Sequence, residues 1–191
     1  MTNYYDENAK EFFDGTVNVD MTPNYEDFLK QVPKNGHILD AGCGSGRDSY
    51  MFKKYGYKVT AFDASIEMCK LASNHINQEV LHMLFQEIEF EDEFDGIWAS
   101  SSLLHVPSNE MEMVLTKLKK SLKENGVLHA SFKYGDFEGE RNGRFFNDYN
   151  EETAEKLFKS VDFKIIKTWI TFDVRKNRDN EKWLNILVSK I

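Results

Sequence analysis

The sequence predicts an α/β fold, a doubly wound and mainly parallel sheet with helices on both faces. Three observations carry that expectation. Short apolar runs alternate with segments of helical spacing along the chain, the pattern of repeated strand–helix–strand units. A glycine-rich turn, Gly42-Cys43-Gly44-Ser45-Gly46, stands between the first such run and the first such helix. The first two runs each end in a carboxylate, Asp40 and Asp63.

In chain order, strands are expected over His37–Ala41, Lys58–Phe62, Val80–Met83, Phe94–Ser100, Gly126–Lys133, Lys164–Phe172 and Trp183–Val188. Helices are expected over Arg47–Tyr55, Ile66–Asn74, Asn109–Leu122 and Glu151–Ser160. His37–Ala41 is apolar at Ile38 and Leu39, and the glycine turn ends it. The run Tyr57 to Phe62 carries the second strand; Asp63 ends it and Ala64-Ser65 start the next helix. The last two strands are separated by a polar break from Asp173 to Glu181, which suits an antiparallel hairpin at the end of the sheet. The segment 134–146 leaves the fifth strand with Gly139 and Gly143 amid charge and reads as a mobile loop. The ligand crevice of such a sheet lies at the carboxyl ends of its strands, where the strand order reverses.

The glycine spacing discriminates between ligands. A dinucleotide fingerprint reads G-x-G-x-x-G, which would put its third glycine at position 47. Arg47 stands there, and the observed spacing is G-x-G-x-G after Asp40. An acidic strand end suits a cationic head group, and bare glycine backbone suits its close approach. S-adenosylmethionine, with its ammonium and sulfonium, fits that pattern better than a pyrophosphate does. Asp63 is placed to accept hydrogen bonds from two ribose hydroxyls, or else to cap the following helix.

These residues resemble the class I S-adenosylmethionine-dependent methyltransferase family. The motifs are Ile38-Leu39-Asp40-Ala41-Gly42-Cys43-Gly44-Ser45-Gly46, then Val59 to Ser65, then Phe94 to Ser100 with Leu104-His105-Val106, then Leu118 to Leu128. The nearest branch looks like small bacterial enzymes of the tellurite-resistance and small-molecule type. The resemblance implies a Rossmann-like, seven-stranded sheet in a single domain over residues 1–191, with residues 1–30 as a helical lid over the cofactor pocket. It implies a methyltransferase that takes S-adenosylmethionine, releases S-adenosylhomocysteine and needs no metal. Expected cofactor contacts are Asp40, Gly42, Cys43, Gly44, Gly46, Asp63, Ala64, Met68, Phe85, Gln86 and Ser100, with Tyr5 and Thr16 from the lid. The family often reads adenine with an Asp after the third strand; Leu84-Phe85-Gln86-Glu87 stands there, which leaves Gln86 or a backbone amide.

The acceptor side rests on fewer signals. Ser100 to His105 lacks the [DN]-P-P-[YFW] sequence of enzymes that methylate exocyclic or amide nitrogens. His105 is a candidate general base, with a structural histidine as the alternative. Tyr134, Arg144, Arg175 and Trp183 are candidate acceptor contacts. Arginines on two loops over one pocket favour an anionic metabolite, because guanidinium grips carboxylate or phosphate bidentately. Methylation of RNA or protein, and cofactor binding without catalysis, are the alternatives.

Composition bounds the rest. The chain has 191 residues, 41% of them hydrophobic, enough for one sizeable core. A net charge of −8 disfavours a broad nucleic-acid surface. No apolar run approaches the roughly 18–20 residues that span a bilayer, and the polar start Met1 to Glu7 does not read as a signal peptide. Cys43 and Cys69 form no C-x-x-C pair and read as reduced thiols of a cytoplasmic protein. Monomer and homodimer both stay open.

Overall fold

The computed structural model describes residues 2–175, 178 and 180–191. Three helices come first: α1 (Thr2–Glu7), α2 (Ala9–Thr16) and α3 (Thr22–Leu29). Then follow β1 (His37–Ala41), α4 (Arg47–Lys54), β2 (Lys58–Asp63), α5 (Ile66–Ile76), β3 (Leu81–His82), β4 (Phe94–Ala99), α6 (Ser108–Ser121) and β5 (Leu122–Lys133). The chain closes with β6 (Glu138–Arg141), β7 (Arg144–Asn147), α7 (Glu151–Ser160), β8 (Phe163–Phe172) and β9 (Lys182–Lys190). Seven strands form one sheet in the order β3-β2-β1-β4-β5-β9-β8. Its first five are parallel, and β9 lies antiparallel between β5 and β8. The α/β fold expected from the sequence is therefore present.

β1 is buried along its whole length, as a strand covered on both faces must be. Leu39, Phe62, Ile97, Leu128 and Phe132 pack on one face with α6 and α7. Ile38, Ala61, Trp98 and Val127 pack on the other, with Tyr25, Phe28, Phe52 and Ala72 from α3, α4 and α5. The order reverses at β1, which has β2 on one side and β4 on the other. The carboxyl ends of β1 and β4 therefore part there and leave a crevice.

Three expectations change. The segment 134–146 is a hairpin rather than a loop: β6 and β7 pair antiparallel, with Arg141 opposite Arg144. Asn142 and Gly143 turn the chain at φ 51° and 73°, both positive as a type I′ turn requires. α3 packs into the core, with Tyr25 and Phe28 fully buried against Phe52 and Trp98, and its Asn24 also lines the crevice. β3 shrinks to two residues, whereas β5 starts four residues early, at Leu122 beside Phe94, with a bulge before Gly96. The polar break 173–181 is described only in part, and its order at residues 176, 177 and 179 lies outside the described residues.

Candidate active site

A cavity of about 160 Å³ opens at the crevice. One wall is the glycine turn. Gly42 and Cys43 donate their backbone N–H groups to the Phe62 carbonyl, and Ser102 Oγ donates to the Ala41 carbonyl at 2.6 Å. Gly44 has φ 53°, and a Cβ built there would lie 3.5 Å from Phe12 of α2. Its bare backbone thus leaves a gap that a side chain would fill. Asp40, Gly42, Cys43, Gly44, Ser100, Tyr5 and Thr16 all line the cavity.

Asp40 is nearly fully buried and accepts from Ser49 Oγ at 2.6 Å. Burial, and next the Asp48 carboxylate, raise its pKa to about 7. Asp48 is the hub of a network absent from the sequence reading. It accepts from Tyr25 Oη at 2.6 Å, Trp98 Nε1 at 2.8 Å and Arg47 Nε at 2.7 Å. Burial works to raise its pKa, but the Arg47 guanidinium and these donors hold it below the ordinary carboxylate value. The signal lay in Arg47-Asp48, a charged pair directly after the glycine turn. Burial first, then Asp40 and Asp63, push the Cys43 thiol pKa far up, which disfavours a thiolate there.

The opposite wall is cationic. Arg144 stands on β7 with its guanidinium over the rings of Tyr4 (4.7 Å) and Phe146 (5.2 Å). Its Nε is buried without a partner, and it forms no ion pair among the described residues. Arg175 is differently placed, because Asp173 takes its Nε at 2.9 Å and its Nη2 at 2.6 Å. Trp183 also lines the cavity and donates its Nε1–H to Asp173 at 3.2 Å, while Lys133 sits 4.2 Å from its ring centre. His129, Ser131 and Asn185 are further lining residues that the sequence reading did not single out. Strand alternation on β5 is the signal that puts His129, Ser131 and Lys133 on one face.

His105 lines the cavity too, but as a bound group. Its Nδ1 is 2.7 Å from the Phe145 carbonyl and its Nε2 is 2.8 Å from Tyr5 Oη. Burial lowers its pKa to about 4, against the help of the Phe145 carbonyl. At neutral pH the ring is uncharged and both of its nitrogens are engaged in this arrangement.

Several expected residues lie elsewhere. Gly46 packs α4 on α5, where a Cβ would meet Ile76 at 3.0 Å. Asp63, Ala64, Met68, Phe85 and Gln86 stand beyond the turn and do not line this cavity. Asp63 accepts from the backbone N–H of Gly44 and Ser65 at 2.8 and 2.9 Å, Phe85 packs on Phe62, and Gln86 donates to Glu110. Asp6 of α1 reaches this side and accepts from Ser65 Oγ and the Glu67 N–H at the start of α5. Tyr134, directly after the cavity-lining Lys133 at the end of β5, is exposed on the surface and does not line the cavity. Among the described residues, no cluster of metal-ligating side chains occurs, and no helix is long and apolar enough to cross a membrane.

Comparison with known proteins agrees with this geometry. Residues 38–126 match the family model described as a methyltransferase domain. An uncharacterised methyltransferase of Staphylococcus carnosus (strain TM300) is 31% identical over 124 residues, 61% of this chain and 60% of that protein. A ubiquinone biosynthesis O-methyltransferase of Coxiella burnetii is 39% identical over 104 residues, 51% of this chain and 44% of that protein. The chain thus spans about half the length of the curated relatives it matches. Among solved structures, the 1,6-didemethyltoxoflavin N1-methyltransferase of Burkholderia thailandensis, with 1,6-didemethyltoxoflavin and S-adenosylhomocysteine bound, has a TM-score of 0.79. It is 20% identical, with 99% of this chain and 86% of that one covered. A TehB-like enzyme of Corynebacterium glutamicum has a TM-score of 0.73 at 16% identity, with 100% and 98% covered. Residues 38–126 thus match a methyltransferase domain, and the chain as a whole has the fold of these methyltransferase structures, with its acidic strand ends around the G-x-G-x-G turn.

Proposed function

We propose that this protein transfers a methyl group from S-adenosylmethionine to a small anionic metabolite. The supporting observation is one cavity with two unlike walls. A buried carboxylate and bare glycine backbone face a half-buried guanidinium that has no carboxylate partner among the described residues. When bound, S-adenosylmethionine supplies an electrophilic methyl on a sulfonium.

The chain's residues fit that group. Asp40 holds the ammonium, whose charge favours the ionised carboxylate that burial disfavours. Gly42, Cys43 and Gly44 admit the methionine arm to the backbone, and Ser100 borders it. Asp63 keeps lone pairs for the ribose hydroxyls beside the two N–H groups it already accepts. Ala64, Met68, Phe85 and Gln86 border the adenine. Arg144 fixes an anionic group of the acceptor, and its face-on packing against Tyr4 and Phe146 sets the direction of its donors. Arg175 and Trp183 complete that end. Rate comes from alignment of acceptor and methyl more than from acid–base groups.

The helices α1 and α2 act as the lid. Space of about 160 Å³ is what one benzene-sized group needs, so α1 and α2 open to admit cofactor and acceptor. A cavity this small favours a metabolite over RNA or a protein segment. The ubiquinone biosynthesis O-methyltransferase and the 1,6-didemethyltoxoflavin N1-methyltransferase among the similar proteins support a small acceptor.

Calorimetric titration with S-adenosylmethionine, S-adenosylhomocysteine and NAD tests the cofactor. Both adenosyl ligands bind and NAD does not; the reverse overturns the reading. Asp63→Ala weakens S-adenosylhomocysteine about tenfold or more, the loss expected for hydrogen bonds to a charged group. Arg144→Ala leaves that affinity unchanged and abolishes turnover in a screen of small carboxylates and phosphates. An unchanged hit from that screen in the variant removes Arg144 from the acceptor site.

A further inference from the structure

Three segments remote in sequence meet at one imidazole. His105 ends the short turn Leu103–His105 after β4. A carbonyl only accepts, so the Nδ1 at 2.7 Å from the Phe145 oxygen carries the hydrogen and donates it. The neutral ring then has its lone pair at Nε2. The Tyr5 hydroxyl, 2.8 Å away, donates to that lone pair. Both bonds are half-buried, and they join α1 to the turn and the turn to β7. Phe145 is the direct neighbour of Arg144, whose guanidinium lies 4.7 Å from the Tyr4 ring and 6.0 Å from the Tyr5 ring. The lid and the acceptor-gripping strand therefore touch each other and share one tether.

We infer that His105 is a positioning residue, a latch that holds Tyr5 and the α1 lid closed over the cavity and links that closure to the hairpin that presents Arg144. This rests on the cofactor and lid reading above. The lone pair of Nε2 is committed to Tyr5, so His105 acts through Tyr5 and Phe145 and takes no proton from an acceptor. Tyr5, with its hydrogen committed to His105, meets whatever fills the cavity only as an acceptor. Closure thus delivers the tyrosine oxygen and the Arg144 charge together. Asp6 adds a second hold at the start of α5 through Ser65 Oγ.

The two bonds can be cut separately. In His105→Asn the amide nitrogen reproduces the Nδ1 donor to Phe145 and nothing stands at the Nε2 position. In His105→Gln the amide oxygen reaches the Nε2 position and accepts from Tyr5, but the donor to Phe145 is gone. Tyr5→Phe removes the hydroxyl alone. The experiment measures S-adenosylhomocysteine release by stopped-flow and, without ligand, amide hydrogen exchange of α1 and β7, with β1 and β4 exchange as the control for folding. Tyr5→Phe and His105→Asn each speed release about tenfold, the value of a half-buried hydrogen bond. Both speed α1 exchange with β1 and β4 unchanged. His105→Gln restores slow release and slow α1 exchange but loosens β7. The Tyr5→Phe/His105→Asn double variant is no faster than either single one, because both remove the same bond. Unchanged α1 exchange in Tyr5→Phe and His105→Asn overturns the latch. Wild-type protein that fails to bind S-adenosylhomocysteine overturns the cofactor reading instead, and the exchange of α1 still decides the latch.

Discussion

Asp40 carries a conflict between stability and binding. An unfolded aspartate ionises near pH 3.9, whereas burial and Asp48 keep the folded group protonated up to about pH 7. Above that pH the folded protein holds a buried charge with Asp48 close by, and a cationic ligand relieves it. Two outcomes are expected. S-adenosylmethionine binding releases protons below pH 7, so its affinity rises with pH up to about 7 and then levels; calorimetry in buffers of different ionisation enthalpy reads this directly. Asp40→Asn raises the melting temperature of the ligand-free protein at pH 8 and weakens the ligand, whereas a lowered melting temperature would mean that the carboxylate stabilises the fold. Gly44 has the opposite character, since its value lies in what it lacks. Its φ is 53°, and a side chain there would start 3.5 Å from the Phe12 ring. Gly44→Val therefore strains the backbone by about 1–2 kcal/mol and fills the gap. It should abolish S-adenosylhomocysteine binding while the fold survives; a variant that still binds would place the ligand elsewhere.

The β6–β7 hairpin is where sequence reading and structure part most. Charge and two glycines suggest mobility, yet Asn142-Gly143 is the strongest short-range hairpin signal there is, and Arg144-Phe145-Phe146 follows it with one exposed edge to cover. The signal is obscured because the flanking residues are charged and the strands have only four residues each. Gly143 stands at φ 73° with a Cβ position 3.5 Å from Tyr4. Gly143→Val therefore strains the turn and presses on the lid; α1 and β7 amides should exchange faster, and unchanged exchange would detach the hairpin from the lid. By contrast β1, β2 and α4–α5 are legible to within two residues, because acidic strand ends, glycines and the Ser65 cap are local signals. The cavity wall is legible on the turn side for the same reason. Its other wall is not, since His129, Asn185 and Asp48 become neighbours only through strand pairing and a buried network that no local spacing encodes. α3 escapes the sequence on the same ground: a short N-terminal helix becomes core only when Trp98 and Phe52 are placed beneath it.

The fold as a whole buries its ionisable groups unevenly, and this sets how it responds to acid. Burial lowers the pKa of His105 and of His129 to about 4 in each case, and it lowers those of His37 and His75 as well. An unfolded histidine binds its proton near pH 6.5. Between about pH 6.5 and 4 the unfolded chain therefore holds protons that the folded protein refuses, and stability falls as pH falls through that window. Asp40 works the other way: folded, it keeps a proton from about pH 7 downward, which the unfolded chain takes up only near 3.9. For His105, His129 and Asp40 alone, two nearly neutral histidines against one protonated aspartate give unfolding a net uptake of about one proton near pH 5, or a slope of about 1.4 kcal/mol per pH unit. The lowered values of His37 and His75 add to it, and the raised ones of Asp63 and Asp148 oppose it. Chemical denaturation at pH 7 and pH 5 should show a loss of roughly 1–2 kcal/mol on that basis. Asp40→Asn removes the opposing group, so its stability should fall more steeply over the same interval than that of the wild type. Parallel profiles for the two proteins would mean that Asp40 titrates at its ordinary value, and with it would go the proton release expected on cofactor binding; a flat wild-type profile would mean that His105 and His129 stay accessible to protons in the folded state, and that the bond between Tyr5 and His105 opens freely.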